Sequence, residues 1–106
     1  MSIERVKKYF KRFGISGRIK ELDSSSATVE LAAQALNCEP ERIAKTLAFN
    51  VNEQIVLIVT AGDAKIDNHK YKTVFGLKAK MLSPEMVEKL VGHAVGGVCP
   101  FGINEN

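Results

Sequence analysis

Residues 43–62 read Ile-Ala-Lys-Thr-Leu-Ala-Phe-Asn-Val-Asn-Glu-Gln-Ile-Val-Leu-Ile-Val-Thr-Ala-Gly, and this stretch decides the fold class. Thr46 to Asn50 and Ile55 to Thr60 are two strand candidates. The second is β-branched and continuously apolar, the pattern of a central strand buried on both faces. Asn52-Glu53-Gln54 between them suits a hairpin connection. Toward the N-terminus, Glu39-Pro40 opens a short helical turn, with proline at the first helical position. Before it, a helix is expected from about Thr28 to Leu36. Val29, Ala32, Ala33 and Leu36 form its apolar stripe, Thr28 suits the N-cap, and Glu30 suits the positive first turn.

The pattern continues outward in both directions. Ser24, Ser25 and Ser26 make a polar break, and Gly17 to Leu22 is a short strand candidate. Residues 3–13 form an amphipathic helix, with Ile3, Val6, Phe10 and Phe13 on one face and Gly14 as its stop. Arg5, Lys8, Lys11 and Arg12 fall on the opposite arc, which reads either as a solvated face or as a contact to a phosphate backbone. On the C-terminal side, Ala61-Gly62-Asp63 is a turn, 67–76 a helix ending at Gly76, and Leu77 to Met81 a third strand. Ser83-Pro84 starts a further helix that buries Met86, Val87, Leu90 and Val91 and ends at Gly92. The chain closes on a glycine-rich loop, Gly96 to Gly102. Strands and helices intermix without repeats, so the expected class is α/β (α+β) with a mixed sheet in a single domain over 1–106.

Composition narrows the function classes. The 106 residues are 45% hydrophobic and 25% charged, ordinary for a globular chain, with a formal net charge of +3 that tilts toward an anionic partner. No apolar run approaches the roughly 20 residues of a membrane span. The first residues lack the apolar core of a secretory signal, so a cytoplasmic protein is expected. Cys38 and Cys99 are far apart, as are His69 and His93, and no metal-ligand spacing links them, so neither a metal nor another cofactor is expected.

Three places can carry chemistry. Lys45 sits where a helical turn hands over to a strand, a junction from which an ammonium can reach into a crevice and meet a phosphate or a developing oxyanion. Position alone equally allows an exposed structural lysine. The glycines of the 96–102 loop let backbone N–H groups approach a ligand or aim at an oxyanion, or they simply make a tight turn. Asp63 or Asp67 can cap the helix that follows. Cys99 is a possible nucleophile for which the sequence offers no base.

Four segments in order resemble one family: Thr28-Val29-Glu30-Leu31-Ala32-Ala33; Ile43-Ala44-Lys45-Thr46-Leu47; Gly62-Asp63 with Asp67; and Gly92-His93-Ala94-Val95-Gly96-Gly97-Val98-Cys99-Pro100-Phe101-Gly102. Together they are similar to the YbaK/EbsC family, the prolyl-tRNA synthetase editing-like (INS-type) aminoacyl-tRNA deacylases. The resemblance implies a curved mixed sheet flanked by helices, and an enzyme that hydrolyses the ester of a misacylated tRNA, a small amino acid on tRNA for proline. It implies Lys45, Gly96 and Gly97 as catalytic, and Thr28, Asp63, His93, Pro100, Phe101 and Gly102 as substrate-binding. Arg5, Lys8 and Arg12 are the candidates for nucleic-acid contact. Misacylated tRNA is the expected partner, with an aminoacyl-tRNA synthetase as a second and no membrane. Against the family pattern the chain is short by its C-terminal third, so a sheet edge open to a second copy is expected. A non-catalytic module binding tRNA or a synthetase is the alternative function. Glu21-Leu22-Asp23 stands where some members carry a pocket aromatic residue.

Overall fold

The computed structural model describes residues 2–23 and 25–104. Its helices are α1 (Ile3–Lys11), α2 (Val29–Leu36), α3 (Asn68–Phe75) and α4 (Pro84–Val91). Its strands are β1 (Ala44–Val51) and β2 (Gln54–Ala61), with short 3₁₀ turns at Ser16–Arg18 and Pro40–Arg42. The α/β class follows. Among the described residues no helix is long and apolar enough to cross a membrane. Ser24, part of the polar break, lies outside the described residues.

Local chemistry sets the helix ends. The Thr28 hydroxyl accepts from the Leu31 amide at 3.1 Å, the Asp67 carboxylate from Lys70 at 3.0 Å, and the Ser83 hydroxyl from Met86 at 3.3 Å. Each satisfies one of the amide donors that a first helical turn leaves unpaired. Asn37, Gly76 and Gly92 close α2, α3 and α4 in the left-handed conformation. Helix α1 stops two residues earlier than its apolar spacing predicts. The Phe13 and Gly14 amides bond to Phe10 and Lys11, three residues back, so the last turn tightens before Gly14 reverses the chain at φ 68°.

β1 and β2 pair antiparallel over their full length, from Ala44 opposite Ala61 to Val51 opposite Gln54. Asn52 and Glu53 form the two-residue turn, both at positive φ (49° and 67°), and the Asn50 side chain accepts the Glu53 amide at 3.0 Å. Two positive φ values match the type I′ turn whose twist suits a hairpin, a turn that favours glycine at its second position. Glu53→Gly is therefore expected to raise stability by about 1 kcal/mol, the low end of the penalty for a left-handed non-glycine residue. A thermal melt reads this as a midpoint a few degrees higher. An unchanged or lower midpoint would contradict the turn geometry.

The centre of the sheet is β1. Its second edge meets the segment around Met81, where Phe49 and Met81 form an isolated antiparallel bridge. The Asn50 amide donates to Lys80 at 2.9 Å and the Leu82 amide to Ala48 at 3.1 Å. The expected third strand is thus reduced to a single bridge. β2, read from its apolar run as buried on both faces, is instead the edge strand among the described residues. Val59 is 50% exposed, whereas Phe49 on β1 is 2% exposed. An apolar run reports that a strand meets apolar surroundings, not which strand has hydrogen-bonded neighbours on both sides. Every strand pairing described is antiparallel, so the mixing of strand directions expected from the resemblance is not present in these residues. Gly17 to Leu22 is not a strand either. Ser16–Arg18 winds as a 3₁₀ turn, and residues 19–22 join no strand among the described residues.

Strand alternation splits the core. Ala48 and Leu57 pack with Val87 and Val91 of α4, joined by Leu82 and Val98. Phe49, pointing the other way, meets Tyr71 of α3 with ring centroids 5.1 Å apart, and Tyr71 meets Phe75 at 4.6 Å. The hairpin is therefore held between α3 and α4.

Candidate functional site

The N-terminal end of β1 opens on a cavity of about 710 Å³, walled by α2, the start of β1, Val59 of β2, the Met81 segment and the glycine loop. Its lining is mainly apolar, with Val29, Ala32, Leu36, Val59, Met81 and Val95 prominent. This is the size and character of a small-molecule site with a few polar groups to orient its ligand. Among the polar groups is Lys45. The turn at Pro40–Arg42 delivers the chain into β1, so Lys45 is the second residue of the strand and half-buried. Its Nζ donates to the Gly62 carbonyl at 3.2 Å, across the open end of the hairpin. One contact of this kind orients the ammonium and leaves further donors for a ligand.

Gly62 is held by close packing. A Cβ there would lie inside contact distance of the Pro40 carbonyl oxygen and 2.5 Å from Val29 Cγ1. The turn after β2, the turn before β1 and the first residue of α2 therefore meet at a point only glycine can occupy, and that point carries the carbonyl on which Lys45 rests.

The glycine loop supplies the facing wall through Gly96, Gly97, Pro100 and Phe101, and Thr28 also lines the cavity. Gly96 adopts φ 92°. The Gly97 amide donates to the Ala94 carbonyl at 3.0 Å, so it is committed to the turn and not aimed at a ligand. Among the described residues the Gly96 amide makes no hydrogen bond, and neither do those of Val98, Cys99, Phe101 and Gly102.

Four of the other expected residues are placed elsewhere. Asp63 is exposed and outside the cavity wall. Gly102 serves close backbone approach, since a Cβ there would stand 2.8 Å from the Arg5 carbonyl oxygen. Arg5 is not a free phosphate ligand. Its guanidinium donates to the Gly92 carbonyl at 3.3 Å and to Asn104 Oδ1 at 2.8 Å, tying α1 to the end of α4. His93 does not reach the cavity. It is fully buried, with Nδ1 accepting the Ser2 amide at 3.0 Å and Nε2 lying 2.8 Å from the Phe101 carbonyl. Lys8 on α1 and Arg12 at its C-terminal cap remain exposed, Arg12 over the Tyr9 ring at 6.0 Å.

The structure also brings together a pair the sequence did not reveal: Cys99 Sγ lies 3.7 Å from His93 Nε2. The hydrogen bonds decide what this pair can do. An Nδ1 that accepts from Ser2 carries no proton, so the neutral ring holds its proton on Nε2 and donates it to Phe101. His93 then has no lone pair to offer the thiol and cannot serve as its base. Burial pushes the Cys99 thiol up from its ordinary range, against a weaker opposing effect of the Phe101 backbone. Cys99 is a thiol at neutral pH, and the possible nucleophile is unactivated. Iodoacetamide at pH 7 is accordingly expected to alkylate Cys99, in a Cys38→Ser background, more slowly than free cysteine. Alkylation at or above the free rate would contradict this assignment.

Comparison with known proteins is consistent across sequence and structure. A family model for the aminoacyl-tRNA editing domain matches residues 23–106. An uncharacterized protein of Bacillus subtilis (strain 168), YwhH, is 48% identical over 104 residues, which is 97% of this chain and 66% of YwhH. A proline--tRNA ligase of Bacillus cytotoxicus is 34% identical over 79 residues, 74% of this chain and 14% of the ligase. Among solved structures, the crystal structure of a proposed trans-editing enzyme for prolyl tRNA synthetase superposes with a TM-score of 0.85. The two are 32% identical, with 96% of this chain and 66% of that chain covered. The chain thus spans slightly under two thirds of the length of YwhH and a small part of the ligase.

Proposed function

Because this chain belongs to the aminoacyl-tRNA editing domain family, we propose that it hydrolyses, in trans, the ester joining a wrongly attached small amino acid to the end of tRNA for proline. The observation that carries the reading is Lys45: a half-buried ammonium at the wall of an apolar cavity, oriented by the Gly62 carbonyl. The likeness to a proline--tRNA ligase and to a proposed trans-editing enzyme favours tRNA for proline as the carrier and a synthetase as a companion.

The chemistry asks little of the protein. An aminoacyl ester is already activated, and water is a sufficient nucleophile once the ester is held and its developing charge met. Water oxygen adds to the carbonyl carbon and the carbonyl oxygen takes up negative charge. The bond to the ribose oxygen then breaks, and that oxygen regains a proton. The products are a free amino acid and a tRNA with its terminal hydroxyl restored. Lys45 is the group suited to the charge on the carbonyl or ribose oxygen, and the Gly96 amide to a second contact. Val29, Ala32 and Val59 bound the space by size. Size is what a second site must use, since an apolar pocket separates side chains one methylene apart by only about 1–3 kcal/mol.

The test is deacylation of tRNA for proline carrying alanine, cysteine, serine or threonine, followed as release of the amino acid. Release above the spontaneous rate for at least one ester is expected, and none from prolyl-tRNA. No acceleration for any of the four would overturn the reading.

A further inference from the structure

Thr60 carries the one hydroxyl in the apolar run of β2, and the hairpin register sets it directly opposite Lys45. Opposed residues of an antiparallel pair point to the same face, with their Cβ atoms about 4.5–5.5 Å apart. Thr60 Oγ1 is buried and has no hydrogen-bond partner among the described residues. Buried polar atoms are nearly always paired, so each exception asks for a reason. The Tyr71 hydroxyl is in the same condition, but its ring packs on Phe49, four register positions along β1 from Lys45. Thr60 does not line the cavity, so its hydroxyl is not placed to touch a ligand there. The neighbour that the register gives it is the Lys45 stem. That stem ends in an ammonium that donates to the Gly62 carbonyl, two residues beyond Thr60, and keeps two further donors.

From this pairing we infer that Thr60 is a positioning residue for Lys45: its hydroxyl accepts a second hydrogen bond from the ammonium. Gly62 and Thr60 then hold the ammonium from two sides, and its third donor is left for the cavity. The consequence for turnover rests on the proposed function, whereas the pairing itself can be read without a substrate. Three points favour it. The hydroxyl oxygen offers lone pairs to an ammonium, and the next pair on that face, Leu47 and Ile58, offers none. Valine would continue the apolar run with the same branched shape and would bury no unpaired oxygen, so the hydroxyl is retained against the local preference. A long lysine stem held by one contact also keeps free torsions, and a second contact removes them before the ester arrives.

The test pairs kinetics with a readout that needs no ester. Thr60→Val should lower kcat in the deacylation assay by roughly ten-fold, the lower end for a lost hydrogen bond to a charged group, with KM unchanged. Thr60→Ser should restore the rate. In a Lys45→Ala background, Thr60→Val should slow hydrolysis no further, as required of a group that acts only through the ammonium. Both Thr60 variants should melt within a few degrees of the wild type. By ¹³C relaxation, Lys45 Cε should be more ordered than the Cε of exposed Lys65 in the wild type and in Thr60→Ser, and no more ordered than it in Thr60→Val. A Thr60→Val enzyme as fast as the wild type, or one equally slowed with and without Lys45, would overturn the inference. So would a large drop in its melting midpoint, which would make Thr60 a packing residue. If the wild type hydrolyses none of the esters, the proposed activity falls and relaxation alone decides: Lys45 order that depends on the Thr60 hydroxyl upholds the pairing, and order indifferent to it overturns the pairing.

Discussion

Lys45→Ala is expected to slow ester hydrolysis by roughly a hundred- to a thousand-fold, the range measured when one preorganised donor to a developing oxyanion is removed. The fold should barely notice. Among the described residues Lys45 makes a single hydrogen bond, to the Gly62 carbonyl, and that carbonyl lies at a half-buried position where water can replace the ammonium. A typical bond of this kind contributes about 1 kcal/mol or less. The variant should therefore melt within a few degrees of the wild type while its turnover collapses, and that separation marks a chemical role. Lys45→Arg is not a rescue, because a planar guanidinium cannot occupy the volume or present the donors of a compact ammonium. Release at the wild-type rate by Lys45→Ala would remove the central element of the mechanism.

Gly62→Ala should show the reverse pattern, with stability lost first. The added methyl meets the Pro40 carbonyl oxygen, Val29 Cγ1 at 2.5 Å and the Ile43 carbonyl oxygen at 3.1 Å. Two of these are backbone atoms and the third is a stiff β-branched side chain, so none can swing aside cheaply. Overpacking of this kind costs about 1–3 kcal/mol. For a chain of this size each kcal/mol corresponds to a midpoint shift of about 4–8 °C. A melt followed by far-ultraviolet circular dichroism checks it. Gly76→Ala is a useful companion, since a Cβ at Gly76 meets no atom within 4 Å and only its φ of 74° resists substitution. If Gly62→Ala melts like the wild type, the close approach of the two turns and α2 is wrong.

What could be read from the sequence follows the range of the interactions involved. Thr28, Asp67 and Ser83 cap their helices, and Gly76 and Gly92 end theirs, because caps are settled within three or four residues. The two strands were legible for the same reason, but their rank in the sheet was not. Ile55 to Thr60 is the more apolar run, yet β1 became central because residues near Met81 returned to its free edge. Arg5 looked like one more member of a basic arc. Its partners lie 87 and 99 residues further along, so nothing local revealed its structural use. His93 and Cys99 are six residues apart, but their proximity depends on how the glycine loop turns back on itself. Lys45 stood out through its resemblance to a family motif. Its anchor on Gly62 required the hairpin register to be known.

The hydrogen bond from the Ser2 amide to His93 has a practical implication for where this domain begins. The family match starts at Asp23, and a minimal protein cut at that boundary would keep every residue of the cavity wall except Leu22. It would nonetheless strip the buried imidazole of the donor that fixes its tautomer. It would also take Arg5 from the end of α4, and Tyr9 and Phe10 from Phe101. The first helix is thus a buttress of the site, and the span that the family model matches is narrower than the span these contacts tie together.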